Sequence, residues 1–285
     1  MNKQQLEQIL RRNIISVQNL SGGDIAVAQK VVTETRTYFV KSGQFEHAKE
    51  LFEKEVVGLS VLEASKSINI PKIIGTYTID DTSCLILDFI ETKSPEPEDM
   101  ETFGRQLALM HQSSKSNRFG FEEDNLIGKL PQSNRQHSNW ASFYVLQRLQ
   151  PQIELAIEQK LLNSSETKSP ERLLQRCNEL FGDISPSLLH GDLWSGNYLI
   201  DISGNAYLID PAVYYGHNEV DLAMTKLFGG FSKRFYEAYH EIIPPHIKPK
   251  ELTEIYQLYY LLVHLNLFGT SYKSSVVQIL KKYFN

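Results

Sequence analysis

The hydrophobic period of this chain changes once, near residue 91, and that change limits the folds open to it. Before Glu91 the apolar residues recur mostly at alternate positions, the repeat of a strand with one face covered. "IISVQNL" and "IAVAQKVVT" flank the turn Ser21-Gly22-Gly23-Asp24, and "TYFVK" follows a second turn at Glu34 to Arg36. "IIGTYTI" and "CLILDFI" meet across the polar turn Asp80 to Ser83. These five runs read as an antiparallel sheet. One helical stretch interrupts them: in "FEHAKELFEKEVVGLSVLEAS", residues Ala48, Leu51, Phe52, Val56, Leu59 and Leu62 share one stripe. After "ETKSPEPED", a proline- and acid-rich linker from Glu91 to Asp99, the helical period takes over. Helices are expected in "METFGRQLALMHQ", "NWASFYVLQRLQPQIELAIEQKLL", "PERLLQRCNELF", "EVDLAMTKLFG" and two stretches from Glu251 onward. A single β interruption is expected there, where "NYLID" and "AYLID" meet across Ser203-Gly204-Asn205. The expectation is a bilobal α+β fold. Residues 1–91 form a small lobe of five antiparallel strands and one helix, and residues 92–285 a larger, mainly helical lobe.

With 285 residues, 41% of them hydrophobic and 22% charged, the chain has enough apolar material for such cores. A net charge of -5 argues against nucleic acid or an anionic membrane as partner, since both call for a basic surface. Two cysteines far apart, Cys84 and Cys177, imply neither a disulfide framework nor a zinc cluster. "MNKQQLEQILRRN" lacks the apolar core of a signal peptide, and "YYLLVHLNLF" is too short and polar to span a bilayer. A cytoplasmic protein is expected.

The chemistry concentrates in "LLHGDLWSGNYLID", Leu188 to Asp201. It contains His-x-Asp-Leu-x-x-x-Asn, the pattern of kinase catalytic loops. Phosphoryl transfer needs a base near the acceptor hydroxyl, which Asp192 supplies, and oxygen ligands for magnesium, which Asn197 begins and Asp210 of "LIDPA" completes from the next strand end. It also needs a cation on the phosphates. Lys41 closes the strand "YFVK" where such a lysine belongs. Glu55 lies on the apolar stripe of the helix, and a carboxylate facing a core is costly without a cation, so Lys41 is its expected partner. Ser195 is not a hydrolase nucleophile, because Leu193 stands where Gly-x-Ser-x-Gly requires glycine. His190, His217 and Asp192 could bind zinc, but no second spaced pair supports that. His111 reads as a structural histidine, and Trp140 and Phe143 as core residues.

The stretches "YFVK", "FEKEVVGLSVL", "FGFEEDNLIGKLPQSN", "HGDLWSGN" and "IDPAVYYGHNEVDLAMTKLFGGF" resemble the fructosamine (ketosamine) kinases. That family belongs to the aminoglycoside-phosphotransferase and choline-kinase-like group with a protein-kinase-like fold. The resemblance covers nearly the whole chain. It implies ATP and Mg2+ as cofactors, Asp192 as base, Asn197 and Asp210 on the metal, and Lys41 with Glu55 on the ATP phosphates. Gly22 and Gly23 could cover the phosphates or form an ordinary hairpin turn, and Asp88, Phe89 and Ile90 fall on its nucleotide side. Trp194, Tyr214, His217, Glu219 and Asp221 fall on its acceptor side or support the loop, Asp221 either bracing the loop or serving as an ordinary first-turn helix acid. The family's usual Gly-His-Arg-Glu is here "GHNE", with Asn218 for arginine, and Ser21 to Ile25 lack the reactive cysteine of some members. The implied reaction is phosphorylation of the sugar O3 of ribulosamine, erythrulosamine or fructosamine adducts, free or protein-bound, after which the product breaks down and frees the amine. Two other readings stand beside it: a phosphotransferase for an aminoglycoside or amino alcohol, and a non-catalytic binding protein on a kinase fold. The latter would be expected to have lost Lys41, Asp192, Asn197 or Asp210, and all four are present.

Overall fold

A computed structural model describes residues 1–20, 26–113 and 116–285. The Ser21-Gly22-Gly23-Asp24 turn lies outside the described residues, and with it the nucleotide-side reading of Gly22 and Gly23. The five expected strands are β1 (Ile14–Asn19), β2 (Val27–Thr33), β3 (Thr37–Gly43), β4 (Ile73–Ile79) and β5 (Thr82–Asp88). They form one antiparallel sheet in the order β1-β2-β3-β5-β4. Asp80 and Asp81, both at positive φ (46° and 61°), make the tight link between β4 and β5, a geometry that suits the twist of paired strands.

One face of the sheet is covered by a helix the sequence reading missed, α1 (Lys3–Leu10), whose Leu6 packs with Val31, Tyr38, Val40, Cys84 and Ile86. The other face carries Leu85 and Leu87 onto α2 (Ala48–Ala64), where Phe52, Leu59 and Leu62 are fully buried. Each such side chain contributes about 1.5–3 kcal/mol. β5 is buried along nearly its whole length because it is covered on both faces.

Beyond the linker, α3 (Pro97–Gln112) packs across α8 (Lys233–His240). The crossing is close: a Cβ on Gly104 would lie 2.2 Å from the Phe235 carbonyl oxygen, so only glycine fits. The expected long helix after Asn139 is three pieces: α4 (Trp140–Phe143), a π-helical turn (Tyr144–Leu149) and α5 (Gln150–Glu158). Pro151 is the cause. It has no N–H to offer the Gln147 carbonyl four residues back, and its ring crowds that oxygen, so the turn widens. The freed Gln147 oxygen accepts Arg148 Nη1 at 2.9 Å. The remaining helices are α6 (Pro170–Phe181), α7 (Glu219–Leu227), α9 (Pro249–Phe268) and α10 (Lys273–Phe284).

Among the described residues three small ribbons, not one, interrupt the helices. The expected pair is β9 (Tyr198–Ile200) with β10 (Ala206–Leu208). Added to it are β6 (Asn125–Ile127) with β7 (Leu130–Gln132), and β8 (Ser187–Leu189) with β11 (Tyr214–Gly216). Three residues are too few to display an alternating pattern, and the partners of β8 lie far away in sequence. The linker is strapped to β9: Lys93 N–H donates to the Ile200 carbonyl at 3.1 Å. A single apolar cluster joins α2 and β5 to α3, α8, Leu193 and Leu208, so it runs beneath residue 91 without a break. No helix among the described residues is long and apolar enough to cross a membrane.

Candidate active site

The loop from His190 to Asn197 runs between β8 and β9, beneath the sheet, and is fastened by its own backbone. Gly191 (φ 83°) passes so near Ala212 that a Cβ would sit 2.0 Å from that carbonyl oxygen. Asp221, in the first turn of α7 and wholly buried, accepts the His190 N–H on Oδ2 at 2.8 Å and the Gly191 N–H on Oδ1 at 2.9 Å. Tyr260 of α9 donates its hydroxyl to the Gly191 carbonyl at 2.8 Å. The His190 ring is used up within the loop: Nδ1 accepts the Asp192 N–H at 3.2 Å and Nε2 donates to the Ile209 carbonyl at 2.9 Å. Burial lowers its pKa, which keeps it neutral. With His190 so engaged, and no cluster of three or more His, Cys, Asp or Glu able to hold a metal among the described residues, the zinc alternative falls away.

Asp192 is half-buried at the end of this turn. Desolvation pushes its carboxyl up to about 7, against the Asn197 hydrogen bond that pulls it down and with the Asp221 charge that adds to the rise. Asn197 Nδ2 donates to the Asp192 carbonyl oxygen at 2.8 Å and to its Oδ2 at 3.2 Å. The same donations orient the amide, leaving Oδ1 as its acceptor end.

Across the β9–β10 ribbon, Ile209 N–H donates to the Asn197 carbonyl at 3.1 Å, which places Asp210 beside Asn197. Asp210 adopts φ 55° immediately before Pro211, a conformation costing of order 1–3 kcal/mol. Its carboxylate forms an ion pair with Lys41 of β3. Lys41 Nζ also meets Glu55 of α2 at 2.9 Å. These two side chains are only 16% and 10% exposed, so solvent screens them little. The structure thus brings Lys41, Glu55, Asp210, Asn197 and Asp192 side by side.

Glu55→Leu is expected to leave the fold intact and raise the KM for ATP about 10-fold or more, the loss of one charge-assisted hydrogen bond on Lys41. Steady-state kinetics against ATP check this; unchanged kinetics would detach Glu55 from the nucleotide.

The other expected residues divide. Asp88 turns its carboxylate toward Arg36, with Nε 3.4 Å away, at the far end of the sheet. Phe89 lies 4.1 Å beneath Lys30 Nζ, and Lys30 pairs with Glu91 at 2.6 Å; the sequence reading overlooked both charged residues. Ile90 is half-buried between them. Trp194, on the loop itself, is 39% exposed. Tyr214 corrects an expectation: it is wholly buried under the Arg148 guanidinium, 4.0 Å from the ring, and offers no surface to an acceptor. His217 is buried too, its Nδ1 2.8 Å from the Tyr256 hydroxyl, and burial, with the His246 ring nearby, pushes its pKa down to about 3. Glu219 is 3% exposed. Of the alternatives for Asp221, the loop brace is the one its hydrogen bonds describe. His111 is indeed enclosed, but against Asp221 itself, with Nε2 3.1 Å from Oδ2.

A family model described as fructosamine kinase matches residues 1–285. A Lactiplantibacillus plantarum protein named "Probable ketoamine kinase" is 40% identical over 285 residues, covering 99% of each chain. The chloroplastic protein-ribulosamine 3-kinase of Oryza sativa subsp. japonica is 37% identical over 275 residues, covering 95% of this chain and 79% of that one. A solved structure from Thermobifida fusca, assigned as a fructosamine-3-kinase, superposes with a TM-score of 0.86 at 32% identity and covers 98% and 96% of the two chains.

Proposed function

This chain belongs to the fructosamine kinase family, and on that premise we propose that it transfers the γ-phosphoryl group of ATP to the sugar O3 hydroxyl of ketosamines. The observation that carries this reading is the convergence of Asp192, Asn197, Asp210 and Lys41 through direct contacts. In the proposed reaction Asp192 takes the proton of the acceptor hydroxyl as its oxygen bonds to the γ-phosphorus. The bond from that phosphorus to the β–γ bridging oxygen breaks, and ADP leaves with the electron pair. Lys41, held by Glu55, exchanges Asp210 for the phosphate oxygens. Its position inside a strand paired on both sides supports this, because the backbone there has little freedom.

Asn197 Oδ1 and the Asp210 carboxylate fit a magnesium ion. Both are hard oxygen donors flanking the paired strands β9 and β10, and an ion that keeps its remaining places for phosphate and water needs few protein ligands. When bound, magnesium neutralises charge on the phosphates. A cytoplasmic setting is part of the proposal, since the reaction draws on a pool of ATP.

The burial of Glu219 and Asp221 bears on the acceptor. A polycationic aminoglycoside needs carboxylates to replace the hydration of its ammonium groups, and these two acids, expected on the acceptor side, are enclosed. A ketosamine, with one secondary amine, makes less demand. Phosphorylation of ribulosyl-lysine or fructosyl-lysine is expected with ATP and Mg2+, and none of kanamycin or choline. A coupled ADP-release assay over this panel checks it; turnover of kanamycin or choline with inert ketosamines would overturn the acceptor while sparing the kinase.

A further inference from the structure

Behind the catalytic loop runs a line of hydrogen bonds whose direction is set at its far end. Asn218 occupies the residue before α7, where an asparagine ordinarily caps the helix with its side chain. Here that side chain makes no cap bond; it turns away, and Nδ2 donates to the Tyr239 hydroxyl at 2.8 Å. Tyr239, on α8, is wholly buried and its oxygen lies 2.8 Å from His111 Nδ1. His111, in the last turn of α3, is 1% exposed and presents Nε2 to Asp221 Oδ2. Asp221 in turn holds the His190 and Gly191 N–H groups.

One assignment satisfies every donor and acceptor along the line. An ionised Asp221 only accepts, so His111 Nε2 carries a proton. The Asn218 Nδ2 group only donates, so the Tyr239 oxygen accepts from it and spends its own hydrogen on His111 Nδ1. His111 is then neutral. If residue 218 offered an acceptor instead, Tyr239 would donate to it, and Nδ1 would need a second proton to fill the gap. An imidazolium would pull on Asp221 Oδ2, the same oxygen that holds the His190 N–H, because charge-assisted hydrogen bonds are about twice as strong as neutral ones.

We propose that Asn218 and Tyr239 are positioning residues, which keep His111 as the neutral Nε2–H tautomer and so leave Asp221 undivided on the backbone of the catalytic loop. This rests on the loop being the catalytic one. The other ionisable groups facing His111 are His190 on the loop and His217 before α7, and both are lowered by burial.

The test reads the tautomer directly. In the full chain with 15N-labelled histidine, the ring resonances that His111→Gln removes are expected to show a bare Nδ1 and a protonated Nε2. Asn218→Asp, an acceptor-only side chain well suited to a helix start, should make His111 doubly protonated and lower kcat about 10-fold, with KM for ATP within about twofold, as a misplaced loop would. Asn218→Arg, donor-only, should keep both the neutral tautomer and kcat within about twofold. An imidazolium in the unaltered protein, or Asp and Arg variants that behave alike, would overturn the proposal. The nitrogen spectra do not depend on which acceptor sugar is used, so failure of the ketosamine reading would be visible separately.

Discussion

Asp192→Asn is expected to lower kcat by ~10² to 10⁴, the contribution of a positioned base, while the fold and ATP binding persist. The substitution keeps the shape of the side chain and removes only its capacity to take a proton. The unaltered enzyme should reveal the base through its pH profile. Desolvation raises the Asp192 carboxyl to about 7, so below that pH the residue is protonated and cannot accept the hydroxyl hydrogen. kcat/KM should therefore fall as pH drops through about 7 and level off above it. In the asparagine variant this acid limb should vanish. A variant that kept more than half of the turnover would remove Asp192 from the mechanism.

Asp210→Asn should be nearly as damaging, about 10³-fold or more, since it removes the one negative ligand of the proposed metal pair, an effect of several kcal/mol. Asn197→Ala should cost less, because a carboxamide binds a hard cation more weakly than a carboxylate. Asparagine is preferred to alanine at residue 210 because the left-handed backbone there tolerates Asn, so a loss of rate is not a loss of fold. Magnesium titrations of each variant separate the two ligands. Full activity in the presence of a chelator would end the two-ligand model.

The five strands, α2 and the β9–β10 ribbon were legible because each carries its period over enough residues, or is bounded by strong turn chemistry. The Lys41–Glu55 contact was legible for another reason: a glutamate on an apolar stripe calls for a cation. What escaped notice had weaker marks. α1 buries just Leu6 fully, too little for a stripe. Pro151 was visible inside a helical run, yet its effect, a widened turn rather than a break, depends on Arg148 accepting the task of satisfying the freed carbonyl. Arg148 itself reads as a surface residue by type, and it is wholly enclosed. Tyr214 was misplaced for the same reason: nothing in its neighbourhood in sequence announces the guanidinium that covers it.

The apolar cluster that runs beneath residue 91 has a mechanical consequence. Phe52 and Leu59 of α2 share it with Phe103, Leu107 and Leu193, and Gly58 rests against Pro211, with room for a Cβ only 3.0 Å from that ring. The two lobes are therefore not a pair of jaws joined at a strap. They are welded along a keel, with α2 as its upper plank, next to Asp210. A close-packed seam of this kind resists being prised open. It also means that a chain severed after Glu91 would divide this shared cluster, with Phe52 and Leu59 in one piece and Phe103, Leu107 and Leu193 in the other.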